Sequence, residues 1–524
     1  MKRSISTFGL LLTSVSAIIG SGWLFSAYYT AAIAGPAASL SWIIGGAFVM
    51  IVAFAFAEIC GMIPITGSSA RIPQYTHGTV VSFMFSWMIW LSYLAVTTIE
   101  VQAVIQYASF YAPALLHHDG GLTHLGYLIA TGLMLLVAFI NTYSIRWLIR
   151  CNNVLTVIKI GIPIIVVTVI LVYFFSPAHA LHPGGSAFMP TGIKGVLGAI
   201  STGGVVFAFN GFKQAAEMAG NAKNPGRAVP IAIVGSVLIC LILFLLIQFS
   251  FLSSLSVSDI AQGWDHIQMT HKNSPLASII QSDQLRRLLP LLYFGAVIAP
   301  LAAALMYCSS AARALYGMSK NGYLPKFVQK ISPQGNPRNA IIVNFIFGMC
   351  LFAPLPGWEQ MASFLTSLFA ITYAIGPLSL LALRKQAPQQ PRPLRLPFVH
   401  LWAFLSFYIC TLLAYWSGWE VLSKMGIALV IGLFFLMVFR LSTHRSISLN
   451  FRESIWLWPY FIGLMLISYL GDYGGRNLFS LETNMAILAV FCLIILGLAM
   501  RFKLPAATTQ KYIAGLHLEQ NEPV

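Results

Sequence analysis

Long apolar runs, separated by short polar segments, repeat along almost the whole chain. A bilayer core about 30 Å thick needs roughly 20 apolar residues in a helix. The runs do not alternate between apolar and polar residues, so they predict helices and not the strands of a barrel. The predicted fold is therefore an all-α polytopic membrane protein with about 14 transmembrane helices. The predicted spans cover residues 7–33, 38–63, 80–112, 124–143, 153–175, 192–218, 229–253, 289–318, 339–355, 360–383, 397–418, 421–440, 455–471 and 484–501.

The composition excludes a water-soluble protein. Of the 524 residues 58% are hydrophobic and 8% are charged, and the mean hydropathy is +0.80. A soluble domain carries about 25% charged residues. The net charge of +16 does not indicate a nucleic-acid partner, because the basic residues lie in short segments between apolar runs, such as Lys320 to Arg338. Segments of this kind face the cytoplasm. The pattern predicts a multi-pass protein of the cell (inner or plasma) membrane with both termini in the cytoplasm.

The apolar runs lack the residue patterns of an enzyme. The seven cysteines stand singly, without metal-ligand spacing. The sequence contains no phosphate-binding loop of the Walker type and no cluster of His, Cys and carboxylates at metal spacing. We therefore predict no enzyme, no cofactor and no metal site, and we do not expect an ATP-driven pump.

The chain is expected to divide into three parts. Residues 1–440 would form a twelve-helix core with two repeats, at about residues 7–175 and 192–383. Residues 441–503 add two helices, and residues 504–524 form a cytoplasmic tail that is expected to be disordered. The last two apolar runs carry no charged residue inside them, so we expect them to face lipid passively.

Two predicted spans are interrupted by glycine at matching positions. The first contains Gly-Ser-Gly at residues 20–22, and the sixth contains Gly-Gly at residues 203–204 and Asn-Gly at residues 210–211. A glycine inside a helix costs about 1 kcal/mol relative to alanine. Matching breaks in two five-helix halves are the sequence sign of an inverted-repeat transporter. The alternative is close packing of helices through small residues.

A broken helix offers a zwitterion two kinds of partner. The start of one half presents free N–H groups that hold a carboxylate, and the end of the other half presents C=O groups that hold an ammonium. An amino acid matches both, with its carboxylate expected at the first break and its amine at the carbonyls of the second. The predicted substrate-binding residues at the two breaks are Ile19, Gly20, Ser21, Gly22, Phe207, Ala208, Phe209 and Asn210.

Lys159 and Glu100 lie inside predicted spans, where an ionisable side chain is a functional candidate by default. Lys159 either reaches the cytoplasmic interface with its stem in lipid or faces the first break. In the second case its ammonium takes the place of a sodium ion, and its protonation couples to transport. Glu100 shares a helical face with Tyr93 and Thr97. It is either a protonated acid that is hydrogen-bonded to a neighbouring helix or a proton carrier.

Three further charged residues lie near the predicted inner ends of their spans. Lys213 follows the second break, and it either reaches cytoplasmic water or pairs with Glu100 or with a carboxylate on the substrate side chain. Glu58 and Glu217 are expected to be structural or gating partners of ion pairs.

Several motifs, over roughly residues 5–440, resemble those of the amino acid–polyamine–organocation (APC) permeases. They are Gly20-Ser21-Gly22, Glu58…Pro64…Gly67, Phe207-Ala208-Phe209-Asn210-Gly211-Phe212 followed by Glu217…Asn224-Pro225…Arg227…Pro230, and Asn321-Gly322-Tyr323-Leu324-Pro325…Pro337. The resemblance implies the LeuT-type 5+5 inverted repeat. It also implies alternating access, in which spans 1, 2, 6 and 7 rock against a scaffold.

Narrower motifs look like the bacterial aspartate–proton symporter branch of that family. They are Gly22-Trp23-Leu24-Phe25, Arg71-Ile72-Pro73-Gln74-Tyr75…His77-Gly78 and Tyr415-Trp416-Ser417-Gly418-Trp419. By this resemblance Tyr307 lies where some members place an aromatic residue of the site, and Lys159 matches the lysine that replaces sodium in proton-coupled members. The residues expected to act as gates are Trp23, Tyr93 and Phe209.

One position departs from the pattern of the APC permeases. Many members have glutamate where this chain has Lys213, so a proton role of that glutamate does not transfer to this chain. A cation at this position favours an acidic substrate, because it supplies a counter-charge for a second carboxylate.

The predicted function is therefore proton-coupled amino acid transport across the cell membrane, with acidic amino acids somewhat favoured over neutral ones. The alternative is an exchanger of one amino acid, or its amine, for another. A transporter-like sensor or a channel is a different class. The sequence shows neither the soluble output domain of a sensor nor the ring of polar residues of a channel. The expected partners are an amino acid, protons and the bilayer, and the oligomeric state is left open.

Overall fold

The computed structural model describes residues 5–65, 68–117, 120–143, 145–174, 176, 180–182, 187–269, 273–281, 285–332, 336–443 and 450–521. Gly67 of the family motif lies outside the described residues.

The described part of the chain is built from α-helices joined by turns and short 3-10 segments, and no strand is present in it. The α-helices, in chain order, are α1 Thr7–Ile18, α2 Gly22–Ala34, α3 Ala38–Met62, α4 Ser68–His77, α5 Thr79–Ala108, α6 His124–Asn141, α7 Ile145–Phe174, α8 Gly192–Thr202, α9 Val205–Ala208, α10 Lys213–Glu217, α11 Pro225–Ser254, α12 Pro275–Ile280, α13 Leu289–Lys320, α14 Arg338–Cys350, α15 Gly357–Gln386, α16 Val399–Trp416, α17 Trp419–Thr443, α18 Leu457–Leu470, α19 Leu481–Arg501 and α20 Ala506–Asn521.

The helices are those of a multi-pass membrane protein. Over the described residues, 11 helical stretches are long and apolar enough to cross a bilayer, or up to 12 if the bent pair Gly192–Ala208 and Asn210–Glu217 is one span. Helices α1 and α14 are apolar but shorter. Large apolar side chains cover the outside of the bundle, as lipid requires; examples are Leu128, Val157, Val172, Val430, Phe434 and Val490. The predicted all-α polytopic fold is confirmed at this level.

The centre of the bundle is formed by helices that are buried on every side. Helix α5 is buried along almost its whole length, and it packs against α13 and α15. Helix α11 lies along α3 and α1 on one side of this centre. Because the middle of α5 and of α15 is surrounded by protein, the polar side chains that they carry there point into the interior and not into lipid.

Two interrupted helices run side by side in opposite directions. The first consists of α1 and α2, and the second consists of α8, α9 and α10. The hydroxyl of Thr30 donates to the carbonyl of Gly203 at 3.2 Å, and the N–H of Ala215 donates to the hydroxyl of Ser14 at 3.1 Å. Residue numbers rise along one segment as they fall along the other, so the interruptions lie next to each other.

One end of the bundle is held by Glu58, and we call it the Glu58 end. The carboxylate of Glu58 accepts from Nε and Nη2 of Arg384, at 2.7 and 2.8 Å, and from the N–H of Leu396 at 2.8 Å. Nε of Arg392 lies 3.7 Å from the same carboxylate. This group ties the end of α3 to the end of α15 and to the segment that follows α15.

The tail differs from the predicted disordered segment, because residues 506–521 form the helix α20. The hydroxyl of Thr509 donates to the carbonyl of Tyr75 at 2.8 Å, and the ring of Tyr512 lies 5.7 Å from that of Tyr75. The amide of Gln386 donates to the carbonyl of Leu504 at 2.7 Å. These contacts with α4 and with the end of α15 order the tail, and its own sequence does not reveal them.

The opposite end, which we call the Asp472 end, joins the last two helices to the rest of the bundle. The carboxylate of Asp472 accepts from the hydroxyl of Tyr415 at 2.6 Å and from the amide of Asn484 at 3.2 Å, and it lies 3.4 Å from the ammonium of Lys194. Lys194 belongs to α8, the first part of the second broken helix. The structure thus connects α18 and α19 to the second broken helix at this end.

Candidate substrate site at two broken helices

The first break lies between α1 and α2. Helix α1 ends at Ile18, and Ile19 leaves the helical region with φ −82° and ψ 84°. The N–H of Gly20 donates to the carbonyl of Ile18 at 3.0 Å, and α2 begins at Gly22. The N–H of Ser21, between the two helices, finds its partner on another helix.

The carboxyl group of Glu100 fills this first break. Its Oε2 accepts from the N–H of Ser21 at 2.8 Å, and its Oε1 lies where a Cβ atom on residue 20 would be. A larger residue at position 20 would have to displace this carboxyl group. Glu100 is 2% exposed. A carboxyl group of the chain itself therefore lies at the N–H groups where the sequence predicts the carboxylate of a substrate.

The ammonium of Lys159 lies beside the same break. Its Nζ donates to the carbonyl of Ser16, in the last turn of α1, at 2.6 Å. Lys159 is 1% exposed, which does not fit a side chain that extends through lipid to an interface. Lys159 and Glu100 also interact electrostatically. The first break thus has a cation at its carbonyl end and a carboxyl group at its N–H end.

The second break has a longer irregular stretch than the first. Gly204 has φ +86°, a left-handed conformation that favours glycine, and α9 is only one turn long. A 3-10 turn at Asn210–Phe212 follows, and the two halves of the span are bent by 41°. A Cβ atom on residue 211 would overlap the backbone of Ala17 and Ile18, so glycine is required where the two breaks touch.

Asn210 joins the second break to two tyrosines. Its Oδ1 accepts from the hydroxyl of Tyr307, and its carbonyl accepts from the hydroxyl of Tyr373 at 3.2 Å. The rings of Tyr307 and Tyr93 lie 5.7 Å apart, and the hydroxyl of Tyr93 donates to Oε1 of Glu217 at 3.1 Å. The structure therefore brings Tyr93, Tyr307 and Asn210, all predicted from sequence, into one polar cluster.

Lys213 is enclosed by aromatic rings toward the Glu58 end. Its Nζ lies 4.5 Å from the ring centre of Tyr373 and 5.2 Å from that of Phe56. Lys213 is 3% exposed, so the alternative in which it reaches water does not fit this structure. It interacts electrostatically with Glu217, which lies one helical turn further along α10. The two aromatic faces and one carboxyl group thus offset the free-energy cost of burying this cation.

The side chains of Trp23 and Phe209 lie in packed parts of the bundle. A Cβ atom on Gly295 of α13 would lie 3.3 Å from the indole of Trp23. The ring of Phe209 packs edge-on against Trp42 and Phe244, with centroid distances of 5.8 and 5.5 Å. Phe209 therefore lies between α3 and α11, and its backbone is the part that belongs to the break.

Two residues contact the breaks although nothing in the sequence indicates that they belong to the site. Trp358, in the first turn of α15, donates from its indole Nε1 to the hydroxyl of Ser21 at 2.8 Å. Tyr373, on the same helix, contacts both Asn210 and Lys213. An aromatic residue in an apolar span normally packs in the core, and only the fold shows that these two meet the breaks.

The arrangement fits a small zwitterion better than it fits a reaction. The backbones of two broken helices touch at Gly211 and Gly22, inside a multi-pass helical bundle. Among the described residues no group of three His, Cys, Asp or Glu is placed to hold a metal ion. Broken helices that meet within a membrane bundle are a feature that many transporter folds share.

Comparisons with known proteins agree with this class. Residues 5–436 match the Amino acid permease family. The glutamate/serine transporter AimA of Bacillus subtilis (strain 168) is 32% identical over 511 residues, which cover 96% of this chain and 94% of that protein. The aspartate-proton symporter of the same organism is 29% identical over 512 residues, covering 97% and 98%. The branched-chain amino acid permease BcaP of Bacillus subtilis (strain 168) is 26% identical over 463 residues, which cover 86% of this chain and 95% of that protein.

The chain belongs to the amino acid permease family of the APC superfamily. The resemblance drawn from the sequence motifs is confirmed at the level of the family. The protein is an amino acid transporter of a membrane and not an enzyme.

Proposed function

We propose that this permease is a proton-coupled symporter of the cell (inner or plasma) membrane that favours acidic amino acids. The observation that carries the proposal is the first break, where Glu100 binds the N–H of Ser21 and Lys159 binds the carbonyl of Ser16. These two groups occupy the places of a substrate carboxylate and of a coupling cation. The relatives named for glutamate/serine transport and for aspartate-proton symport support the same assignment.

The proposed architecture is fourteen spans with a 5+5 inverted repeat. The apolar stretch Gly22–Met62 contains two helices, α2 and α3, which meet at Gly35 with φ +63°. Dividing this stretch into two spans, counting the bent pair Gly192–Ala208 and Asn210–Glu217 as one span and adding α14 as a short span raises the 11 stretches to fourteen, with α1 and α2 forming the first. The opposite directions of the two broken helices support repeats at about residues 7–175 and 192–383. The twelve-helix core over residues 1–440 is proposed from the family match, which covers residues 5–436. Residues 441–503 add the last two spans.

We assign the Glu58 end to the cytoplasm. The segment that joins α15 to α16 carries Arg392 and Arg395, and the segment from Lys320 to Arg338 follows α13. Positively charged segments between spans remain on the cytoplasmic side. Both termini then lie in the cytoplasm, and the Asp472 end faces outward.

The substrate carboxylate is proposed to replace the carboxyl group of Glu100 at the first break. The N–H groups of Ser21 and Gly22, at the start of α2, would hold it, with Ile19 and Gly20 shaping the turn. The substrate ammonium would bind the carbonyls of Phe207, Ala208 and Phe209 at the end of α9. The contact between Gly22 and Ala208, where a Cβ atom on residue 22 would lie 3.1 Å from that of Ala208, supports a single ligand that bridges both breaks.

Proton coupling is proposed to follow from this competition. A protonated carboxyl group accepts a hydrogen bond from an N–H more weakly than a carboxylate does. Protonation of Glu100 therefore releases the N–H of Ser21 to the substrate. Lys159 keeps its bond to Ser16 and supplies the positive charge that a sodium ion would supply. Tyr93, Trp23 and Phe209 remain the proposed gates around this site.

An acidic side chain is proposed to bind Lys213. Its ammonium is enclosed by Tyr373 and Phe56, and Tyr373 also contacts Asn210 of the second break. Lys213→Ala should weaken uptake of aspartate at least tenfold while serine uptake changes less than threefold, because only aspartate has a second carboxylate. The control is Lys424→Ala, which removes a cation that pairs with exposed Glu420. An equal loss for aspartate and serine contradicts the assignment.

The whole proposal is tested by uptake of labelled aspartate into proteoliposomes without sodium. An inward proton gradient should stimulate uptake into vesicles that contain no amino acid. Uptake only into vesicles that are preloaded with an amino acid would identify an exchanger instead. Absence of aspartate uptake in both cases would remove the acidic substrate and direct the same assay to a full panel of amino acids. A transporter-like sensor would move none of them.

A further inference from the structure

Trp358 lies at the start of α15, next to both breaks and on the side that faces the Asp472 end. The residue is 0% exposed, in the first turn of α15. Its indole Nε1 donates to the hydroxyl of Ser21 at 2.8 Å, and its backbone N–H donates to the side chain of Gln106 at 3.2 Å. The only polar atom of the indole ring therefore forms its hydrogen bond with the first break and not with a residue of α15.

The ring of Trp358 also covers the second break. It stacks on Phe25 and Tyr29 of α2, with centroid distances of 5.1 and 5.6 Å. Phe207 meets it edge-on at 5.4 Å. A Cβ atom on Gly204 would lie 2.6 Å from Cη2 of the indole, so the left-handed glycine leaves the space that the ring occupies. The ring thus contacts α2 and both breaks, and the backbone N–H of the same residue binds α5.

We propose that Trp358 is the lid of the substrate site on the Asp472 side, and that its indole N–H locks the lid by binding Ser21. This proposal rests on the proposed transport function and on the orientation given there. A substrate that enters from the Asp472 side must pass the indole before it reaches the N–H groups of the first break. In the closed state this hydrogen bond holds α15 against the start of α2. The indole must therefore leave Ser21 when the lid opens. Trp358 is a positioning residue, since its bond acts through the hydroxyl of Ser21.

Two variants separate the hydrogen bond from the bulk of the ring. Trp358→Phe keeps an aromatic ring and removes the donor, and Trp358→Ala removes both. Trp416→Phe is the matched control, because Trp416 is also buried and stacked, on Phe48 at 6.1 Å. Among the described residues the indole N–H of Trp416 has no partner. The same substitution therefore removes no bond there.

Opening is measured as the labelling rate of a cysteine at Ser26 in intact cells, with a membrane-impermeant thiol reagent added outside. Ser26 is fully buried and donates to the carbonyl of Gly204 at 3.3 Å, beside the indole. All variants carry Ser26→Cys and Cys350→Ser, because Cys350 is exposed. Trp358→Phe should raise the rate about three- to tenfold, as expected for one lost hydrogen bond, and Trp358→Ala should raise it further. Trp416→Phe should leave it unchanged.

A double-mutant cycle with Ser21→Ala identifies the bond itself. In the Ser21→Ala background Trp358→Phe should change the labelling rate less than twofold, because the acceptor has already been removed. The proposal is overturned if the full effect persists in that background, if Trp416→Phe has the same effect, or if Trp358→Ala labels no faster than the parent. If Trp358→Ala does not reach the membrane, the labelling rates of Trp358→Phe and of the double-mutant cycle test the proposal without it. Labelling needs no substrate, so failure of aspartate uptake leaves this test intact.

Discussion

Glu100→Gln is the substitution that most directly probes the first break. The side chain keeps its shape and one acceptor oxygen, and it loses the negative charge. In the structure Oε2 accepts from the N–H of Ser21 at 2.8 Å inside a site where Glu100 is 2% exposed. Lys159 keeps its own bond to the carbonyl of Ser16, at 2.6 Å, so its ammonium retains a partner in the variant.

The magnitude follows from the change of acceptor. A hydrogen bond to a charged group contributes about 1.5–3 kcal/mol and a neutral one about 0.5–1.5 kcal/mol. Glutamine should therefore hold the N–H of Ser21 less tightly than glutamate by about 1–1.5 kcal/mol. If a substrate carboxylate binds the same N–H, its internal competitor is weakened by that amount. Substrate affinity should then rise about five- to tenfold, since 1.4 kcal/mol is a factor of ten.

Two measurements check this expectation. Binding of labelled aspartate to the purified variant should show the lower dissociation constant, and uptake into proteoliposomes should no longer be stimulated by a proton gradient. Glu420→Gln is the control, because it makes the same chemical change at a side chain that is 79% exposed. Unchanged or weaker binding, together with preserved gradient stimulation, would refute both the competition and the proton role of Glu100.

Three further substitutions test other parts of the structure. Lys159→Met should reduce gradient-driven aspartate uptake at least tenfold in proteoliposomes, and full dependence on the gradient would contradict a coupling role. Glu58→Gln breaks a buried pair with Arg384 and should destabilise the protein by about 3–5 kcal/mol, seen as a clear drop in the thermal melting temperature; an unchanged melting curve would refute this estimate. Asp472→Ala should lower the melting temperature more than Lys194→Gln, because an ion pair with a half-exposed lysine contributes only about 0–1 kcal/mol. Equal shifts for these two variants would argue against the buried hydrogen bonds of the carboxylate.

The positions of the breaks were predictable because they depend on local chain chemistry. Glycine lowers helix stability, and the clusters at residues 20–22 and 203–204 lie at matching places in two spans, so together they mark interruptions without any knowledge of the fold. Helix α1 does end at Ile18 and α2 does begin at Gly22. For Lys159 the sequence left two places open, the cytoplasmic interface and the first break, and only the structure shows that the side chain is buried.

The contacts that complete the site were not predictable in this way. Trp358 is separated from Ser21 by 337 positions in the chain, and Tyr373 is separated from Asn210 by 163. Apolar periodicity tells which residues enter a span and not which spans become neighbours. The same limit explains the tail, where Thr509 is ordered by a hydrogen bond to Tyr75, 434 positions away.

The shared space at residues 20 and 100 has a consequence for how this protein can evolve. Oε1 of Glu100 lies where the methyl group of an alanine at residue 20 would have to be. An alanine at residue 20 would have to push this carboxyl group aside, away from the N–H of Ser21. A lineage that gains a side chain at residue 20 therefore gives up the bond of Glu100 at the break, and with it the reason to keep an acid at residue 100. In an alignment of relatives, glycine at the first position and glutamate at the second should be inherited as a pair and lost as a pair.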